Sequence, residues 1–171
     1  MIRIALVGDI GSGKTYIANL FNYPVFNADK EVSDIYKKNM KFFQQIKKKI
    51  PNFFNSFPLK KEELIEAILS NKINIKKISK IVHPIVRKRM FNFISKNRNK
   101  KFIILDVPLF LENKLNNKND IIIYVQSKKI EINKRLKKRK NYNSSIFKKL
   151  KDVQFPLSIK KKKSNFIVKN D

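Results

Sequence analysis

Eight residues near the start of the chain have types and spacing that could do chemistry. Gly8-Asp9-Ile10-Gly11-Ser12-Gly13-Lys14-Thr15 fits the pattern G-x-x-x-x-G-K-[ST]. Glycines let a backbone curl so that successive N–H groups point inward at an anion. A helix opening near Gly13 would add its positive end and aim the Thr15 and Tyr16 amides at the same place. Lys14 can then reach the β- and γ-phosphates of a nucleoside triphosphate, and the Thr15 hydroxyl can serve Mg²⁺. The chain has only 3 glycines, at positions 8, 11 and 13. A sequence that avoids glycine elsewhere needs these three for the loop, so the expected ligands are ATP and Mg²⁺.

Phosphoryl transfer also needs a group that takes or orients the proton of an acceptor hydroxyl. Asp29 is the candidate, because it follows a second short strand whose end should lie near the loop. It also suits the first turn of a helix, where a carboxylate meets the macrodipole, and that structural role is the alternative.

Those residues need elements to hold them. Ile2 to Val7 reads as a buried strand ending in the glycine turn, and Gly13 to Phe21 as the following helix. Tyr23 to Phe26 is a second strand, and a helix starts near Asp29. Residues 39–98 are Lys-rich and free of glycine, and read as several helices punctuated by Pro51, Pro58 and Pro84. Within them Phe53, Phe54 and Phe57 read as local core rather than a base-stacking platform. Phe102 to Val107 and Ile121 to Val125 are near-continuous apolar runs, as parallel strands covered on both faces require. Helices are expected over Lys128 to Lys140 and Ser145 to Asp152, a last strand over Phe166 to Val168, and a surface loop over Asn113 to Asn119. The fold class is α/β: an open five-stranded parallel sheet of order 2-3-1-4-5, three-layered, of the P-loop NTPase type.

The 171 residues suffice for one domain with a real core. There is no cysteine, so disulfides and Cys-based metal sites are excluded. The first apolar run reads as a strand rather than a leader, and no stretch approaches the roughly 18 apolar residues of a spanning helix. A cytoplasmic location without membrane association is expected. Lys and Arg number 40 against 13 Asp and Glu, a formal charge of +27. An anionic partner would use such a surplus. Coding bias also explains it, since arginine is confined to positions 3, 87, 89, 98, 135 and 139 while Lys, Asn and Ile abound.

Further segments, in order, extend the pattern beyond the loop. They are Asn27-Ala28-Asp29, His83-Pro84-Ile85-Val86-Arg87, Val107-Pro108-Leu109-Phe110-Leu111-Glu112, the pair Arg135 and Arg139, and Gln154, Pro156, Leu157, Lys160 and Asn170. With them the chain resembles the dephospho-coenzyme A kinase family over nearly its whole length. The resemblance implies phosphoryl transfer from ATP to the ribose 3′-hydroxyl of dephospho-coenzyme A. It implies that Asp29, Lys14 and Arg139 do the chemistry and that Asp29, His83, Arg87, Pro108 and Leu109 line the acceptor site. Gly8, Gly11, Ser12, Gly13, Lys14, Thr15, Tyr16, Arg135, Arg139 and Asn170 would bind ATP, with Arg139 closing over its phosphates, Arg135 behind it, and Asn170 near the adenine. Asp106, ending the third strand, would join Thr15 at the Mg²⁺. Glu112 would brace its turn. The implied division is a core of residues 1–33, 99–137 and 153–171, a helical acceptor-binding insert at 34–98 and a lid at 138–152, in a monomer.

The chain departs from the family's pattern in three places. Asp9 stands where the family has glycine, which sets a carboxylate close to bound phosphates unless it points outward. Asn27 replaces an acid, removing one possible metal-shell ligand. The family usually continues past the matched asparagine with a glycine turn and a helix, so a looser adenine side is expected here. Two rivals remain. A nucleoside or nucleotide kinase is disfavoured by His83-Pro84, Pro108 and the long insert. A basic nucleic-acid-binding P-loop protein has the charge, but no recognised nucleic-acid motif accompanies it.

Overall fold

The computed structural model of the chain describes residues 1–139 and 143–171. Strand β1 (Ile2–Gly8) leads through the glycine loop into α1 (Lys14–Leu20), then β2 (Val25–Asn27) and α2 (Ala28–Lys38). Three helices follow: α3 (Met40–Lys49), α4 (Lys61–Ser70) and α5 (Lys72–Lys96). The chain re-enters the sheet with β3 (Phe102–Asp106) and β4 (Ile121–Gln126), and continues through α6 (Lys129–Lys137), α7 (Ser144–Asp152), α8 (Leu157–Lys162) and β5 (Phe166–Lys169).

The five strands are all parallel and ordered β2-β3-β1-β4-β5, as expected from the sequence. Strand alternation sends successive side chains to opposite faces. Ile4, Leu6, Ile104, Ile123 and Val125 therefore pack with Ile17 and Ala18 of α1 on one side. Ala5, Val7, Ile103, Leu105 and Ile122 pack with Phe110, Leu111 and Met90 of α5 on the other. Burial on both faces is why these runs carry no polar alternation. A separate apolar cluster holds the insert together: Phe42, Phe43 and Ile46 of α3 meet Ile35 of α2, Ala67 of α4, and Ile78, Ile81 and Val82 of α5. Phe54 is fully buried there, with Phe53 and Phe57 against it, so these rings are local core.

Two expectations are corrected. Pro84 does not end its helix; α5 runs through it for 25 residues. Proline removes one backbone donor and crowds the preceding turn, yet both flanks of α5 are anchored. Ile78, Ile81 and Val82 pack into the insert, while Met90, Phe93 and Ile94 pack onto the sheet. Helix α5 is thus shared between insert and core. The second correction is α8, a six-residue helix that periodicity alone did not reveal. Its sequence, Leu-Ser-Ile-Lys-Lys-Lys, is too short for a helical period to stand out. The expected helix through Lys140 and the lid span 138–152 include residues 140–142, which lie outside the described residues.

Candidate active site

Parallel pairing brings the carboxyl ends of β2, β3 and β1 side by side. Asn27 and Leu6 both sit opposite Asp106, and the glycine loop starts two residues beyond Leu6. Open α/β sheets bind their ligands at this edge.

The loop's glycines are used for geometry. Gly8, Gly11 and Gly13 have φ of +149°, +85° and +89°. A Cβ on Gly8 would lie 2.5 Å from the Val125 carbonyl oxygen, and one on Gly13 would run into the Asn170 amide. Ile17 N–H donates to the Gly13 carbonyl, so the helix opens directly from the loop. Lys14 is buried, and its ammonium donates to the loop's own carbonyls at Asp9 (2.8 Å) and Gly8 (3.4 Å). Burial pulls Lys14 below its ordinary ammonium range, opposed by Asp106, Asp29 and Asp9 and reinforced by Lys160. Ser12 is buried too, whereas the Tyr16 side chain faces outward, leaving only its amide for the loop.

Thr15 and Asp106 meet directly: the hydroxyl donates to Asp106 Oδ2 at 2.5 Å, and Asn27 Nδ2 donates to the same oxygen at 2.8 Å. Asn27 also caps α2, its Oδ1 accepting from Lys30 N–H. The amide that replaces the family's acid therefore orients Asp106 and starts the helix that carries Asp29. Burial raises Asp106 above the ordinary carboxylate range, and its hydrogen bonds to Thr15 and Asn27 work against that. A hydroxyl and a carboxylate in contact are hard oxygen donors of the kind Mg²⁺ takes, so the residues present fit that ion.

Asp29 occupies the first turn of α2 and lines a cavity of about 300 Å³. The walls include Ile10 of the phosphate loop, His83 and Arg87 from α5, Pro108 and Leu109 after β3, and Arg139. Burial raises Asp29 above the usual carboxylate range, the Asp106 charge adds to this, and Lys14 and Arg139 oppose it. One cavity therefore holds Asp29 together with every residue expected at the acceptor. Burial, then the neighbouring Arg87, keeps His83 below the usual imidazole range. Helix α7 supplies Phe147 and Leu150, and its C-cap Val153 joins them in the same cavity. Sequence reasoning assigned these residues no role, though their spacing of three is the signal of an inward apolar stripe.

Arg135 and Asn170 lie behind the loop. Asn170 Nδ2 donates to the Ser12 carbonyl at 2.8 Å. The Arg135 fork donates to the Asn170 carbonyl (3.1 Å), Ser127 Oγ (3.0 Å) and the Ser12 carbonyl (3.4 Å). Both brace the loop, whereas Arg139 faces the cavity. Asp9 turns its carboxylate onto Ile10 N–H (2.8 Å) and toward Lys151 of α7 (3.5 Å). On the insert side, Lys149 of α7 donates to the Ile68 and Leu69 carbonyls at the end of α4. Helix α7 thus spans from the insert to the phosphate loop.

A parallel sheet, a glycine loop running into a helix, and a cavity beside that loop with a carboxylate and cations define a P-loop kinase. The dephospho-CoA kinase family model matches residues 2–171. The "Dephospho-CoA kinase" of Wolbachia pipientis wMel is 31% identical over 170 residues, covering 96% of this chain and 87% of that protein. Its counterpart in Zymomonas mobilis is 28% identical over 173 residues, covering 99% and 88%. Among solved structures, TT1252 from Thermus thermophilus superposes with a TM-score of 0.79 at 23% identity, over 99% of this chain and 88% of that one. Dephospho-CoA kinase from Campylobacter jejuni superposes with a TM-score of 0.61 at 24% identity, over 98% and 87%. At those identities the structures speak for the fold. The chain belongs to the dephospho-CoA kinase family.

Proposed function

We propose that this chain transfers the γ-phosphoryl group of ATP to the ribose 3′-hydroxyl of dephospho-coenzyme A, giving coenzyme A and ADP. The carrying observation is the single cavity that joins Asp29, His83, Arg87, Pro108, Leu109 and Arg139 to the edge of the phosphate loop. The hydroxyl oxygen attacks the γ-phosphorus while the bond to the β–γ bridging oxygen breaks, and Asp29 accepts or orients the departing proton. Burial holds the Asp29 carboxyl above the ordinary carboxylate range, which makes its carboxylate a stronger base than a free one. Lys14 and the loop amides hold the β- and γ-phosphates, and Arg139 bears on the charge spread over the transferring group. Thr15 and Asp106 would hold Mg²⁺, which when bound neutralises the β- and γ-oxygens. His83 and Arg87 present donors and charge to the acceptor, and Pro108-Leu109 gives it an apolar wall. The apolar face of α7 excludes water, which otherwise competes for the phosphoryl group.

No described helix is long and apolar enough to cross a membrane. The same proposal makes the enzyme a cytoplasmic monomer, in keeping with its lack of cysteine. ATP consumption by purified protein, with dephospho-coenzyme A set against adenosine, AMP and single-stranded RNA, tests it. Turnover with dephospho-coenzyme A alone, lost in D29A, is expected. Turnover with a nucleoside instead would overturn the acceptor, and RNA-stimulated ATP loss without an acceptor would overturn the kinase.

A further inference from the structure

Lys160 is fully buried although it sits in the Lys-rich helix α8, whose neighbours Lys161 and Lys162 are exposed. Its ammonium contacts Glu112 Oε1 at 3.0 Å and Gln154 Oε1 at 2.9 Å. Glu112 Oε1 also accepts the Phe155 N–H at 2.8 Å. The three side chains come from separate places: Glu112 from the turn after β3, Gln154 from the foot of α7, and Lys160 from α8. The phosphoryl chemistry described above uses none of them.

The ion pair makes a poor case as a stabiliser. Taking both charges out of water costs several kcal/mol each, and apolar residues of similar volume often do as well or better. Glu112 Oε2 is also buried without a hydrogen-bond partner among the described residues, which adds to that penalty. A charged group kept there at such a cost is better explained by position than by stability. Its position is informative. Glu112 closes the Val107–Glu112 segment that carries Pro108 and Leu109, and that segment starts one residue after Asp106. Gln154 itself lines the cavity beside Val153, the residue that caps α7, and Phe155 follows directly. The Lys160 charge is also close enough to act on Lys14 of the phosphate loop.

We infer that Lys160 is a positioning residue: by clasping Glu112 and Gln154 it fixes the acceptor turn and the foot of α7 against each other and against the phosphate loop. An acceptor seated on Pro108-Leu109 then lies in register with Asp29 and Lys14, and α7 covers it from an anchored base. The inference rests on the proposed kinase reaction, in which an ångström of misplacement between acceptor and γ-phosphate lowers the rate by about 100-fold.

Three proteins test it: wild type, K160M, and E112L/K160M, which removes both charges together. Each is assayed for kcat and for KM of ATP and of dephospho-coenzyme A, for Tm, and for amide hydrogen exchange at residues 107–112 and 153–157 with and without acceptor. K160M is expected to lose about 100-fold in kcat/KM for dephospho-coenzyme A while KM for ATP holds. E112L/K160M should regain the Tm lost in K160M and not the turnover. In both variants the two segments should lose their joint protection. Recovery of Tm and turnover together in the double variant would reduce the clasp to a structural ion pair and overturn the inference. If wild type ignores dephospho-coenzyme A, the substrate assignment falls. Hydrogen exchange then still decides: unchanged protection in K160M refutes the clasp, and its loss in both segments upholds it.

Discussion

Replacing Gly13 by alanine tests the phosphate loop's geometry, and its effect can be worked out from two contacts. Gly13 has φ +89°, a conformation that costs an L-residue roughly 1 kcal/mol more than glycine. The new methyl would also collide with the Asn170 amide, which now donates to the Ser12 carbonyl at 2.8 Å. That amide ends a flexible side chain, so it swings away and the hydrogen bond, worth about 1 kcal/mol, is lost. G13A should therefore destabilise by about 2 kcal/mol, a Tm drop of roughly 4–8 °C for a domain of this size. N170A loses only the hydrogen bond, about 1 kcal/mol. The double variant G13A/N170A should fall no further than G13A, because the bond is already gone, which leaves a coupling of about 1 kcal/mol. Urea unfolding of all four proteins measures the cycle, and titration with a non-hydrolysable ATP analogue shows whether binding weakens in parallel. Additive losses would refute the idea that Asn170 is set by the missing Cβ of Gly13, and unimpaired ATP binding by G13A would refute the loop's role.

Four other substitutions probe the site and its frame. D29N should lower kcat by roughly 10²–10⁴ at little change in KM for ATP, and remove an acid limb of the pH–rate profile that lies above the ordinary carboxylate range. A carboxyl raised on folding gives stability that is complete below its unfolded pKa and lost as pH rises through the folded one. D29N should therefore melt higher than wild type at pH 7.5, with the difference closing as pH falls toward 4; a lower Tm at pH 7.5 would contradict the burial argument. T15A and D106N should each raise the Mg²⁺ concentration needed for half-maximal velocity, and identical Mg²⁺ titrations would rule both residues out as its holders. R3M breaks the buried 2.6 Å pair with Asp120 and should cost about 3–5 kcal/mol in chemical denaturation, while leaving KM values unchanged below the transition; a loss under 1 kcal/mol would show that pair to be well solvated.

The phosphate loop and the parallel strands were legible in the sequence because they depend on local rules; the strand order, though expected, is set by which strands meet. Glycine spacing dictates a loop with positive φ, and continuous apolar runs dictate strands covered on both faces. Asp29 could be placed for a similar reason: it follows a strand, and strand ends converge on one edge of the sheet. Other features depended on which distant segments meet, and no local pattern encodes that. Pro84 looked like a helix stop, and only packing on both flanks carries α5 through it. Arg135 and Asn170 were expected at the ATP, but their hydrogen bonds to the Ser12 carbonyl of the loop could not be read from the sequence. Lys160 stood out in the sequence only as part of a pattern, with no partner or role, in a chain of +27. Glu112 is 48 residues away in sequence, and the fold brings it to a fully buried Lys160 while its own side chain stays mostly buried. In the sequence a lysine's charge is only one more addition to the total; burial and a named partner make it specific, and tertiary structure alone supplies both.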